Sequence, residues 1–332
     1  MDAPARDPRL ELAGVAMTLS GLAYAFPEDL PKHLARPGLA TRGEWRATWV
    51  PEEREGFFGY VAASRNPGLY AVAVRGTNPS LTTGFLRNLL TNVAVDEADD
   101  WEQEAAAAGA RIARGARRGL DVLTTITDRG ETLLAHLRRT VPEGATVVVT
   151  GHSLGGCLAA VLAMYLAREG GGRFRVKPIT FAAPTAGDRG FAELYQKTFT
   201  DAERYYNRLD LVPRAWHGLE ELGELFPAPG PRCPADFRVF ARLAGGRVGR
   251  HAYTQPGPGT PLGDETVRYP RRGGPLGSLG RLFRAKVFYL EALHHHMPNT
   301  YLQHLGAPKL PFRLPLRWFS RNVSRRLKVI FP

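Results

Sequence analysis

The chain has 332 residues, 44% hydrophobic and 23% charged, ordinary globular values, and it has no run near the roughly 18 to 20 apolar residues that a bilayer span needs. Two cysteines, Cys157 and Cys233, exclude a disulfide framework and fit a reducing compartment. The net charge is +12, and residues 231–332 carry 18 Lys and Arg against 4 Asp and Glu, a net of +14 that leaves −2 for the first 230. A basic field of that kind suits phosphate-bearing surfaces. An excess of 38 Arg over 6 Lys is also what a biased base composition would produce.

The start, Met1 to Glu11, is mixed in sign, and the apolar stretch Leu12 to Phe26 has no clear cleavage site, which argues against a secretory leader. The expected location is cytoplasmic, with peripheral membrane contact. The first strand-like pair is Gly59 to Ala63 and Tyr70 to Val74, ending at Arg75-Gly76-Thr77. Asn78 to Asp100 follows and contains the apolar cluster Phe85, Leu86, Leu89 and Leu90. From Trp101 to Thr140, apolar residues at helical spacing (Ile112, Leu120, Leu123, Ile126, Leu133, Leu137) predict one or two long helices. Ala145 to Thr150 is a continuous β-branched run of the kind buried on both faces of a parallel sheet. Leu154 to Arg168 then reads as a helix, Val176 to Ala182 as a strand, Phe191 to Phe199 as a helix and Glu203 to Leu209 as a strand. This alternation predicts the α/β class, a mostly parallel sheet flanked by helices. The Pro- and Gly-rich stretch Pro227 to Gly280 is expected to hold short strands at Phe237 to Leu243 and Thr266 to Tyr269, before a helix from Leu282 to His295.

Gly151-His152-Ser153-Leu154-Gly155 matches Gly-x-Ser-x-Gly and lies between the sharpest strand signal and a helix. In that setting the turn lifts Ser153 above the sheet edge at a helix N-terminus, where backbone N–H groups favour a developing oxyanion. A nucleophilic serine needs a histidine base and an orienting carboxylate, in the chain order Ser, Asp, His. Asp210 stands at the end of a predicted strand and before Pro213, with Asp236 and Asp264 as alternatives. His294, His295 and His296 are contiguous, so helical geometry points them about 100° apart and allows at most one to act as base. For the same reason they make no three-His metal centre, and no metal or other cofactor is expected. The break at Pro298 favours His296, while His217, His251 and His304 stay open.

Four blocks in order, Val72 to Thr77, Val149 to Gly156, Thr180 to Gly187 and Asn207 to Pro213, together resemble the class 3 lipases, the fungal-lipase-like branch of the α/β-hydrolase superfamily. His296 with Tyr301 five residues on resembles that family's closing histidine segment. The resemblance runs from about residue 45 to 305 and implies a triad of Ser153, Asp210 and His296. It also implies an oxyanion hole from Thr77 and Leu154 and a lid over Asn78 to Asp100, with Phe85, Leu86, Leu89 and Leu90 as its apolar face. The implied activity is hydrolysis of lipid carboxylic esters, acylglycerol or phospholipid. A soluble short-chain esterase and a silent lipid- or partner-binding scaffold are the rival expectations. The expected layout is residues 1–44 packing on the core, 45–308 catalytic, and a basic amphipathic tail over 309–332. In that tail Arg317, Arg321, Arg325 and Lys328 share one helical face, suited to anionic membrane. No nucleic-acid partner is expected, since the basic region lacks a recognisable aromatic-plus-basic module or zinc spacing.

Overall fold

The computed structural model describes residues 7–76, 95, 97–101, 109–228, 230–264, 267 and 277–312. Helix α1 (Pro8–Leu22) starts where Asp7 accepts the Arg9 N–H at 2.9 Å and proline fills the first helical position. After the single turn α2 (Leu30–Leu34), strands β1 (Trp45–Trp49), β2 (Gly59–Ser64) and β3 (Leu69–Val74) pair antiparallel.

Strand β4 (Ala98–Asp100) pairs with β5 (Arg111–Ala113), and α3 (Arg114–Thr125) follows. A hairpin of β6 (Thr127–Asp128) and β7 (Glu131–Thr132) separates α3 from α4 (Leu133–Thr140). The expectation of long helices across 101–140 is therefore corrected: Ile112 lies in a strand, and Arg129 (φ 51°) with Gly130 (φ 80°) turns the hairpin between two shorter helices. Two successive residues at positive φ are what a tight two-residue hairpin turn requires.

Strand β8 (Thr146–His152), helix α5 (Leu154–Glu169), strand β9 (Arg175–Phe181), helix α6 (Arg189–Thr198) and strand β10 (Glu203–Asn207) fall where the alternation predicts them. Helix α7 (Ala235–Val248) stands where Phe237 to Leu243 reads as a strand, and this too is a correction. Strand β11 (Thr260–Leu262) was not expected, and the expected strand at 266–269 lies outside the described residues apart from Val267. Helices α8 (Gly277–His296) and α9 (Pro298–His304) complete the order.

The main sheet runs β1-β2-β3-β8-β9-β10-β11, parallel from β3 onward. Its pleat sorts the core into two layers. Val147 and Val149 join the cluster under α3, α4 and α5, whereas Val148 joins the one formed by α1, α2 and α9. Helix α1 is tied to the central strand by Ser20 Oγ, 2.8 Å from Thr150 Oγ1 in a buried position. The carboxyl ends of β8 and β10 lie on one edge, the side on which open α/β sheets keep their sites.

Candidate active site

Between β8 and α5 the chain turns within one residue. Ser153 has φ 62° and ψ −134°, a left-handed conformation that a side chain accepts only when its surroundings hold it. They do so here: Ser153 N–H donates to Phe181 O at 2.9 Å, and Ser153 O accepts from Gly156 N–H at 2.9 Å. Glycine at 155 is a packing requirement, because a Cβ there would sit 2.3 Å from Val74 O. That close approach brings the first turn of α5 against the end of β3, where Arg75 is held by Glu53 at 2.6 Å and by Gly56 O at 3.1 Å.

His296 is the last residue of α8, and Met297 is extended before Pro298 opens α9. The break delivers the imidazole to Ser153, with Nε2 2.9 Å from Oγ and Nδ1 2.8 Å from Asp210 Oδ2. Asp210 follows β10, and its backbone N–H donates to Asn207 O at 3.1 Å. Its carboxylate is buried but well supplied with donors: Tyr301 OH donates to Oδ2 at 2.8 Å and Val212 N–H to Oδ1 at 2.9 Å. Three donors satisfy this buried carboxylate in place of bulk water. Burial, and after it the Asp210 charge, push the Tyr301 phenol well above the ordinary range, so it serves as a donor. The same oxygen accepts the Asn207 N–H at 3.0 Å.

His295 faces elsewhere. Asn207 Nδ2 donates to its Nδ1 at 3.1 Å, which leaves the Nε2 proton for Glu291 Oε1 at 3.0 Å. The pair is buried and braces Asn207, whose Oδ1 accepts the Leu209 N–H at 2.9 Å just before Asp210. His294 is partly exposed, and His217 lies at the surface. His304 comes within 3.5 Å of Asn207 Nδ2, and neither it nor His251 is bonded to Ser153 or Asp210 among the described contacts. Asp236 and Asp264 are exposed. Among the described residues no group of three or more His, Cys, Asp or Glu could hold a metal ion.

Leu154 occupies the first helical position of α5, where a backbone N–H has no acceptor within the helix. Thr77 and the four apolar residues Phe85, Leu86, Leu89 and Leu90 lie outside the described residues, as does the tail from 313. Two contributors carried no signal in the sequence. Tyr24, at the end of α1, hydrogen-bonds His152, and Asn207 with His295 and Glu291 braces the acid loop. Tyr24 lies 128 residues from His152 and Asn207 lies 88 from His295, so no local spacing marks those two contacts, whereas Glu291 and His295 are one helical turn apart.

The fold and the Ser153, His296, Asp210 arrangement define a serine hydrolase on the α/β-hydrolase scaffold. Residues 71–218 match the family model described as lipase (class 3). It superposes on the crystal structure of M37 lipase with a TM-score of 0.68 at 23% identity, over 91% of this chain and 93% of that one. Lipase II from Rhizopus niveus aligns with a TM-score of 0.50 at 20% identity, over 63% of this chain and 76% of that one. For the lipase from Rhizopus microsporus var. chinensis the values are 0.50 and 19%, over 63% and 70%. No curated protein matches the chain by sequence.

Proposed function

We propose that this protein hydrolyses carboxylic esters of lipids, acylglycerols or phospholipids, through an acyl-enzyme on Ser153. The observation that carries the reading is the unbroken chain from Ser153 Oγ to His296 Nε2 at 2.9 Å and from His296 Nδ1 to Asp210 at 2.8 Å. His296 Nε2 takes the hydroxyl proton as Oγ bonds to the ester carbonyl carbon. The oxyanion that forms is met by the N–H of Leu154 and by Thr77. As the tetrahedral species collapses, the C–O bond to the alcohol breaks and His296 returns its proton to the leaving oxygen. Water then adds to the acyl-enzyme with His296 again as base, releasing the acid and restoring Ser153.

An alkyl fluorophosphonate tests this. Native protein is expected to take one label, on Ser153, and heat-denatured protein none. Cys157 will not compete, because burial pushes its thiol up to about 12. Unlabelled native protein, or Ser153→Ala that still labels and still turns over ester, would leave a silent scaffold. Activity confined to dissolved short-chain esters would make it an esterase.

The location proposed with this reading is cytoplasmic and membrane-peripheral, supported by two buried free cysteines and by the basic stretch ending in Arg317, Arg321, Arg325 and Lys328. Salt-sensitive sedimentation with phosphatidylglycerol but not phosphatidylcholine vesicles is expected of the full chain and not of a chain ending at Pro311. Equal binding by both would assign the contact elsewhere.

A further inference from the structure

Helix α1 precedes the segment that matches the family model, yet the residue just beyond its end reaches the site. The Tyr24 hydroxyl lies 3.1 Å from His152 Nδ1 and 3.3 Å from His152 O, and the backbone N–H of Gly76 donates to the same hydroxyl oxygen. On the other edge of the ring, His152 Nε2 is 2.8 Å from the backbone O of His296. A carbonyl oxygen only accepts, so Nε2 carries a proton. Burial, and after it the charge of a protonated His296, hold His152 well below the ordinary histidine range, so the ring has that one proton and Nδ1 offers a lone pair. The Tyr24 proton is directed to it, and burial keeps the phenol protonated far above neutral pH.

We infer that Tyr24 is a positioning residue for the hydrolysis: its hydroxyl selects the His152 tautomer that holds the His296 backbone in register with Ser153. This rests on the serine-hydrolase reading of the site. Without the hydroxyl, Nδ1 becomes a buried unpaired acceptor, and the tautomer protonated at Nδ1 gains ground. That tautomer turns a lone pair at Nε2 toward His296 O, so a bond becomes a repulsion. The catalytic ring, whose centroid is 4.8 Å from that of His152, then loses its fixed distance to Ser153. The hydroxyl is not the only anchor of α1. Ser20 bonds Thr150 at 2.8 Å, and Tyr60 OH donates to Leu19 O at 2.9 Å, so the helix stays docked when Tyr24 is changed.

Tyr24→Phe is expected to lower kcat on a dissolved p-nitrophenyl ester about 10- to 100-fold, the scale of a small misplacement of a reacting group, with KM within about twofold. Fluorophosphonate labelling should slow in parallel, and the downfield proton resonance of the His296–Asp210 bond should shift. His152→Gln, whose amide can donate to His296 O and accept from Tyr24, should keep most activity, while His152→Leu should lose as much as Tyr24→Phe. Because both act through one chain of bonds, Tyr24→Phe added to His152→Leu should cost nothing further. Activity of Tyr24→Phe within about twofold of the parent, or additive losses in the double variant, would overturn the inference. If Tyr24→Phe does not fold, equal activities of His152→Gln and His152→Leu would do the same. A parent protein that neither labels nor hydrolyses ester would sink the hydrolase reading instead. In that case an unshifted downfield resonance in Tyr24→Phe would separately dispose of the positioning role.

Discussion

Replacing His296 by alanine is expected to lower kcat by about four orders of magnitude or more, because triad members act as one unit. Both ring nitrogens are committed to the reaction chain, one 2.9 Å from Ser153 Oγ and the other 2.8 Å from Asp210. The neighbouring His295→Ala should behave differently. Its nitrogens serve Asn207 and Glu291, so the change removes a brace and leaves Glu291 without this partner in a fully buried place. Loss of a buried hydrogen bond that leaves a polar group short of a partner costs about 1–3 kcal/mol, so urea unfolding of His295→Ala should start earlier while kcat falls far less than for His296→Ala. Circular dichroism on both variants separates lost folding from lost chemistry. If His295→Ala were inactive and folded while His296→Ala kept its turnover, the base would be misassigned, although Ser153 and Asp210 would keep their roles.

How far the sequence shows the site depends on how local each contact is. The strand, turn and helix around Ser153 are contiguous: β-branched residues from Thr146 to Thr150 pair on both sides, and small residues follow where α5 packs closely. Chain order then leads to Asp210, and the proline break to His296. The same reading fails at α7 because its apolar positions fit two periods. Residues 237, 239, 241 and 243 alternate as a strand would, while 237, 241, 244 and 248 follow a helix. The structure buries Phe237, Ala241 and Val248 and leaves Val239 and Leu243 57% and 65% exposed, so two outward apolar residues supplied the false alternation. Between residues 101 and 140 the helical spacing is real, but Arg129-Gly130 interrupts it with a turn that a single glycine marks only weakly. Tyr24 was illegible for another reason: 128 residues separate it from His152, and only the sheet brings α1 beneath the nucleophile's strand.

Gly155→Ala should be among the most damaging single changes in the protein, although helix propensity alone argues the opposite. Alanine within a helix is favoured over glycine by about 1 kcal/mol. At this position, however, a Cβ would lie 2.3 Å from Val74 O and 2.7 Å from both Arg75 C and Gly76 N. All three are backbone atoms of the strand end that leads to Thr77, and they cannot rotate away as a flexible side chain could. Overpacking a rigid contact costs about 1–3 kcal/mol or more, so the clash exceeds the propensity gain and the variant unfolds at lower urea concentration. Relief can come only by moving α5 from β3, which separates Gly155 from Arg75 and Gly76 and shifts Ser153 with the helix. Displacements of that kind reduce rates about 100-fold, so fluorophosphonate labelling should slow more than the stability loss alone explains. Gly246 in α7 provides the control. It is helical and exposed, and a Cβ there would meet nothing within 4 Å, so Gly246→Ala should raise stability by about 0.5–1 kcal/mol with labelling unchanged. If Gly155→Ala were as stable and as quickly labelled as Gly246→Ala, the close approach of α5 to β3 would not be what holds Ser153 in place.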